Sequence, residues 1–183
     1  MVIEKFNENW IKQFVLIKDV LKENLSKIIS IEHVGSTSIK GMYAKPIIDI
    51  DIIINNGCDF EITKNELELM GYYHNGDQGV LGREVFKRNN IIQNKVLDKI
   101  KHHLYVCNKD NEELNRHILF RDFLNKHEEK VFEYNSIKLE ILSKYGKNNR
   151  EKYVEKKENE YKWFFDRVLE EAEKEIKKRR NYT

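Results

Sequence analysis

The chain has 183 residues, 40% of them hydrophobic, enough for one ordinary domain with a real core. Its 33 basic residues oppose 31 acidic ones; a net charge of +2 excludes a global field for gripping a nucleic-acid polyanion, so any basic function must be local. Cys58 and Cys107 share no close spacing and no neighbouring His/Cys cluster, which argues against a disulfide framework or a zinc site and for a reduced, cytoplasmic protein. No stretch approaches the length of a membrane span and the N-terminus lacks a signal-type apolar run, so neither export nor a membrane partner is expected.

From Trp10 the apolar residues recur as Phe14, Ile17, Leu21, Leu25 and Ile28, which predicts a helix over 8–26 with one buried stripe. A short strand over 28–33 should enter the turn Gly35-Ser36-Thr37-Ser38. Pro46, the only proline, keeps Lys45 extended ahead of the strand Ile47-Ile48-Asp49-Ile50-Asp51-Ile52-Ile53-Ile54. After a turn at Asn55-Asn56-Gly57, a helix is expected over 60–70, ending at Gly71 as a left-handed cap, and then an extended piece from Tyr72. Gly76, Gly79 and Gly82 form a loop feeding a strand to Arg88; residues 89–100 are ambiguous; His102 to Cys107 alternates as a strand with His103 and Tyr105 on one face. Three helical stretches follow over 112–126, 128–145 and 150–179, the last ending in a basic run read as a solvated helix terminus.

The strand 47–54 carries the strongest chemical signal. Side chains alternate along a strand, so Asp49 and Asp51 project together, roughly 7 Å apart, while Ile48, Ile50, Ile52 and Ile54 face the other way. Two like charges that close require a cation, and Mg²⁺ suits a few carboxylates combined with phosphate oxygens and water. An edge strand with a wet polar face is the bland alternative, but six isoleucines flank the two aspartates, as expected of a strand inside a sheet. A Gly-Ser turn shortly upstream can offer backbone amides and a hydroxyl to a phosphate.

Helix, strand, Gly35-Ser36 and Asp49-x-Asp51 in this order resemble the nucleotidyltransferase superfamily typified by DNA polymerase beta. The longer string from Glu32-His33-Val34-Gly35-Ser36-Thr37-Ser38 to Lys45-Pro46-Ile47-Ile48-Asp49 closely resembles the GrpB family, a bacterial group assigned to that superfamily. The Trp10 helix, Phe86 with Lys87 and Arg88, His102-His103-Leu104, the run His117 to Leu124, and Tyr153 with Lys157 also fit, so the resemblance covers nearly the whole chain. Lys40 and Tyr105 depart from the family pattern, which usually has a proline and a second strand histidine there, and the 89–100 connection is longer.

The resemblance implies an α/β (α+β) fold: a small mixed sheet of nucleotidyltransferase type with packed helices, residues 1–107 forming the core and 108–183 a helical region, as one domain. It implies a Mg²⁺-dependent nucleotidyltransferase acting on a nucleotide triphosphate. Asp49 and Asp51 would hold the metal; Gly35, Ser36 and Thr37 would receive the phosphates, with Lys45, Arg83, Lys87 and Lys157 as candidate phosphate contacts. A third carboxylate is normally required and has no obvious representative. His103 is the candidate catalytic base, since an imidazole accepts protons near neutral pH, and Glu84 is a weaker candidate for the missing carboxylate. Arg121-Asp122 reads as a packing ion pair. The acceptor, whether small molecule, protein or RNA, is left open. The alternatives are a non-catalytic nucleotide-binding or regulatory module of the same fold and a metal-dependent phosphohydrolase using Asp49, Asp51 and His103.

Overall fold

The computed structural model describes residues 3–89, 91–145, 155–156 and 159–180. In chain order these form α1 (Asn9–Asn24), β1 (Ser30–Val34), a 3-10 turn (Ser36–Ser38), β2 (Ile48–Ile54), α2 (Gly57–Leu69), β3 (Tyr72–His74), β4 (Arg83–Arg88), β5 (His102–Asn108), α3 (Glu112–Leu124), α4 (Glu128–Tyr145) and α5 (Lys162–Arg180). The five strands make one mixed sheet in the order β1-β2-β5-β4-β3, with β2 and β5 parallel and the other pairs antiparallel. The α/β architecture with a mixed sheet is therefore as expected, and β2 lies inside the sheet, not at its edge.

One face of the sheet is dry. Ile48, Ile50, Ile52 and Ile54 of β2 join Leu104 and Val106 of β5 under the α1 stripe Trp10, Phe14, Ile17 and Leu21 and under Leu67 of α2. Burial of such a stripe, at about 25 cal/mol per Å² of apolar surface, holds these helices on the sheet. The other face carries Asp49, Asp51 and Ile53 of β2 with Glu32 of β1 and His103, Tyr105 and Cys107 of β5, as the register requires. A second core joins Ile39 and Met42 of the loop after β1 to α3, α4 and α5 through Phe123, Tyr134, Ile141 and Phe164.

Several boundaries differ from expectation for local reasons. Helix α1 stops at Asn24, and Ser26 is taken by the Glu66 carboxylate of α2 through its amide (3.0 Å) and hydroxyl (2.5 Å), so β1 begins at Ser30. Helix α2 starts at Gly57, not at residue 60, because the Asn56 side chain accepts from the amides of Cys58 and Asp59 as an N-cap. Gly71, with φ +85°, ends it in the left-handed conformation expected. Residues 91–100 form turns without a strand or a helix, pinned where Arg88 bonds Asp98 and Asp98 accepts from the Asn94 amide. The last helix is interrupted at residues 160–161, and the start expected at 150, with Tyr153 and Lys157, lies outside the described residues. Both cysteines are free, Cys58 exposed and Cys107 buried. No helix among the described residues is long and apolar enough to cross a membrane.

Candidate active site

The site is built where the loop after β1 folds back on β2. Gly35 has φ +70° and ψ −173°, a backbone region essentially reserved for glycine. A Cβ added there would lie 2.3 Å from Asp49 Oδ2. The Gly35-Ser36 turn therefore rests directly on the Asp49 carboxylate, with no room for a side chain between them. Ser38 Oγ donates to the Gly35 carbonyl (2.6 Å), closing the turn on itself.

Helical side chains fasten this loop from the opposite wall. Asn125 accepts from the Lys40 amide and donates to the Ser38 carbonyl, and Asn135 accepts from the Tyr43 amide and donates to the Gly41 carbonyl. Lys138 of α4, only 3% exposed, donates from Nζ to Ser36 Oγ (2.8 Å) and to the Tyr43 carbonyl (2.7 Å). An ammonium is thus buried against the serine of the Gly35-Ser36 turn.

Beside Asp49 the parallel register sets His103, and its Nδ1–H donates to Asp49 Oδ1 (2.8 Å). That bond leaves Nε2 as the unprotonated nitrogen of the neutral ring. Asp51 is fully buried. Its Oδ2 accepts from His117 Nδ1 (3.1 Å), its Oδ1 has no hydrogen-bond partner, and the Arg83 guanidinium stands 3.5 Å from that oxygen while stacking 3.3 Å over the Tyr105 ring. His117 Nε2 in turn lies 3.5 Å from Glu113. Burial raises the Tyr105 hydroxyl above its ordinary range, and it pushes the Cys107 thiol, on the same face, up to about 12. Both stay protonated at neutral pH.

Helix α3 crosses this face with one stripe: Leu114 packs with Ile53 and Cys107, His117 meets Asp51, and Arg121 donates to Glu32 (2.8 Å) and to the His33 carbonyl (2.9 Å). Arg121 also makes the expected pair with Asp122 (2.7 Å). Glu32 is therefore a third carboxylate on the site face, already engaged by Arg121. Glu84 is on the opposite face, facing Val106, and bonds His74 (2.6 Å), so it is no third carboxylate for this site.

Three cavities meet at these residues. The first, about 160 Å³, holds Ser36, Lys45, Asp49, His103 and Lys138. The second, about 600 Å³, lies under α3 and α5 and is lined by His117, Phe120, Tyr134, Phe165 and the shared Arg83 and Tyr105. The third, about 510 Å³, runs along β4 and β5 past His103 to Lys87. The structure thus brings together Gly35, Ser36, Lys45, Asp49, Asp51, Arg83 and His103. Thr37 also lines the first cavity, but its buried hydroxyl is engaged within the turn, accepting from His33 Nε2 (3.0 Å) and donating to the Ile47 carbonyl (3.2 Å). Lys87 lines the third cavity, away from the Gly35-Ser36 turn. Lys138, His117 and Arg121 were not singled out as site residues from the sequence, though a lysine and a histidine inside otherwise apolar helix stripes were visible signals.

The donor set bears on a metal. Among the described residues no group of three His, Cys, Asp or Glu side chains forms a metal cage. Two carboxylates on one strand face, one with a buried oxygen lacking a hydrogen bond, suit an ion that brings most of its own oxygens. They do not suit a resident ion.

A family model described as GrpB protein matches residues 1–170. The chain belongs to the GrpB family. The glutamate-rich protein GrpB of Alkalihalophilus pseudofirmus is 36% identical over 173 residues, spanning 93% of this chain and 95% of that one. The crystal structure of GrpB from Enterococcus faecalis superposes with a TM-score of 0.77 at 26% identity, over 96% of this chain and 99% of that one. The nucleotidyltransferase Cid1, solved in complex with the UTP analogue UMPNPP, matches 75% of this chain and 40% of its own at a TM-score of 0.51 and 14% identity. This last likeness is one of fold alone.

Proposed function

We propose that this GrpB chain transfers a nucleotidyl group from a nucleotide triphosphate to an acceptor hydroxyl or amine. The observation that carries the reading is the contact between turn and carboxylate: a Cβ on Gly35 would lie 2.3 Å from Asp49 Oδ2, so the turn that would receive the phosphates and the oxygen that would bind the metal share one spot. The bound nucleotide of the distant fold relative Cid1 supports the ligand class.

In this reading the amides of the Gly35-Ser36 turn and the Ser36 hydroxyl receive the β- and γ-phosphates, and Lys138 holds that hydroxyl and adds charge beside it. Lys45 lines the same cavity and supplies a second cation. Asp49 and Asp51 hold Mg²⁺ arriving with the nucleotide, which when bound neutralises the triphosphate and the departing pyrophosphate. His103, fixed through Nδ1 on Asp49, presents Nε2 to take the acceptor's proton. Arg83 stands against Asp51 until the nucleotide's phosphates offer it a better partner. Aromatic residues of the second cavity, Phe120, Tyr134 and Phe165, give the base an apolar wall.

The test is label transfer. With nucleotide labelled at the α-phosphate, the label should move to an acceptor and unlabelled pyrophosphate should appear in equal amount. Release of free phosphate in its place identifies a phosphohydrolase. A second reading, a nucleotide-binding module without turnover, is favoured by the pairing of Glu32 with Arg121, which leaves the β1–β2–β5 face without an uncommitted third carboxylate among the described residues. Tight triphosphate binding with no label transfer over a broad acceptor panel would establish it.

A further inference from the structure

Apart from Arg83 and His103 on its border, the third cavity, along β4 and β5, has no part in the proposed triphosphate site. Its floor is Val85, Tyr105 and Leu97, and its rim carries Arg83, Lys87, Lys101 and His103. Of the two acidic residues that line it, Asp98 is paired with Arg88 and also accepts from the Asn94 amide, while Asp77 accepts from the Gly79 amide (2.9 Å) and keeps its charge, so the lining cations Arg83, Lys87, Arg88 and Lys101 outnumber the carboxylates. Lys87 and Lys101 are both exposed, and neither makes an ion pair among the described residues. The cavity thus offers a positive rim over an apolar and aromatic floor. At about 510 Å³ it has the size of a small-molecule site. With a net charge of only +2 the chain has no extended field for a polyanion.

We infer that this cavity takes the acceptor of the proposed reaction, and that the acceptor is a small molecule with a ring or apolar body and an anionic group, carboxylate or phosphate, held by Lys87 and Lys101. The inference rests on the nucleotidyl-transfer reading and narrows it, since a polycationic acceptor would meet like charge here. His103 stands on the boundary between this cavity and that of Ser36, which sets the acceptor's nucleophile beside the α-phosphate. The acceptor oxygen or nitrogen forms the new bond to the α-phosphorus and its proton passes to His103 Nε2. The bond from the α-phosphorus to the bridging oxygen breaks, and its electron pair leaves with pyrophosphate.

Four ring probes of similar size test this: phenyl phosphate, benzoate, benzyl alcohol and benzylamine. They are titrated into the protein with Mg²⁺ and a non-hydrolysable triphosphate already bound, so that the Ser36 cavity is filled, and followed by backbone amide NMR. Phenyl phosphate and benzoate should shift the amides of Val85, Lys87 and Tyr105; the alcohol and the amine should bind about tenfold more weakly, the worth of one charge-assisted hydrogen bond. The double variant Lys87→Glu with Lys101→Glu should lose the anionic probes and keep both its melting temperature and its triphosphate affinity. Benzylamine binding as well as phenyl phosphate, anionic probes surviving in the double variant, or no probe shifting these amides would overturn the inference. Failure of the triphosphate analogue to bind, with phenyl phosphate still read by Lys87 and Lys101, would overturn the nucleotidyl-transfer reading and with it the acceptor role.

Discussion

Gly35→Ala is the substitution that interrogates the site most finely. The new methyl carbon would lie 2.3 Å from Asp49 Oδ2 and 3.0 Å from its Cγ, and real Cβ atoms essentially never come closer than 3.0 Å. Asp49 cannot simply swing away, because its other oxygen holds His103 at 2.8 Å. The turn must lift instead, from a backbone conformation at φ +70° that already costs a non-glycine residue about 1–3 kcal/mol. Stability should fall by about that amount, and triphosphate affinity should fall about 10- to 100-fold, as for a lost charge-assisted hydrogen bond to phosphate. Gly79→Ala separates the two effects, since Gly79 has φ +85° but nothing within 4 Å of its would-be Cβ. It should lose stability only. Urea denaturation and calorimetric titration with a non-hydrolysable triphosphate read both quantities. Gly35→Ala with wild-type affinity, or Gly79→Ala with the same loss of affinity, would refute the account of the turn.

Lys138→Met keeps the apolar stem against Tyr134 and removes the bonds to Ser36 Oγ and the Tyr43 carbonyl. Triphosphate affinity should drop about 10- to 100-fold, as for a lost charge-assisted hydrogen bond, and an unchanged calorimetric affinity would exclude Lys138 from phosphate binding. His33 gives a pH signature. Burial under Phe14 disfavours its cation and Arg121 acts in the same direction, outweighing Asp49, so its pKa is lowered from 6.5 to about 4. A depressed histidine contributes stability that is full above 6.5 and is lost as pH falls from there towards 4, about 3 kcal/mol over the window. His33→Gln should flatten the dependence of the urea midpoint on pH between 7 and 4.5; an unchanged slope would show that other groups carry it.

The parts of the site that follow from local pattern were legible in the sequence. Period-two alternation put Asp49 with Asp51 and His103 with Tyr105, and the parallel register then set His103 on Asp49. What alternation cannot tell is how far apart two strands lie in the sheet. Lys87 has the right charge for phosphate, but β5 separates its strand from β2, and two strand spacings of about 4.8 Å move it into the third cavity. Lys138, His117, Asn125 and Asn135 escaped because their partners are far away in sequence and belong to the helices that cover the site. For Asn135 and Lys138 the clue was a polar side chain set in a buried helix stripe, where an apolar one costs less unless a partner is waiting. The early start of α2 was missed because Asn56-Gly57 reads equally as a turn and as an N-cap.

The central claim is that one spot on β2 binds a triphosphate through its phosphates and Mg²⁺ together. Calorimetric binding of a non-hydrolysable triphosphate, with and without Mg²⁺, in the wild type and in Asp49→Asn, tests it directly. The wild type should bind only when Mg²⁺ is present, and Asp49→Asn should lose that dependence along with the affinity. Asp49→Asn binding as tightly as the wild type, with the same requirement for Mg²⁺, would contradict it.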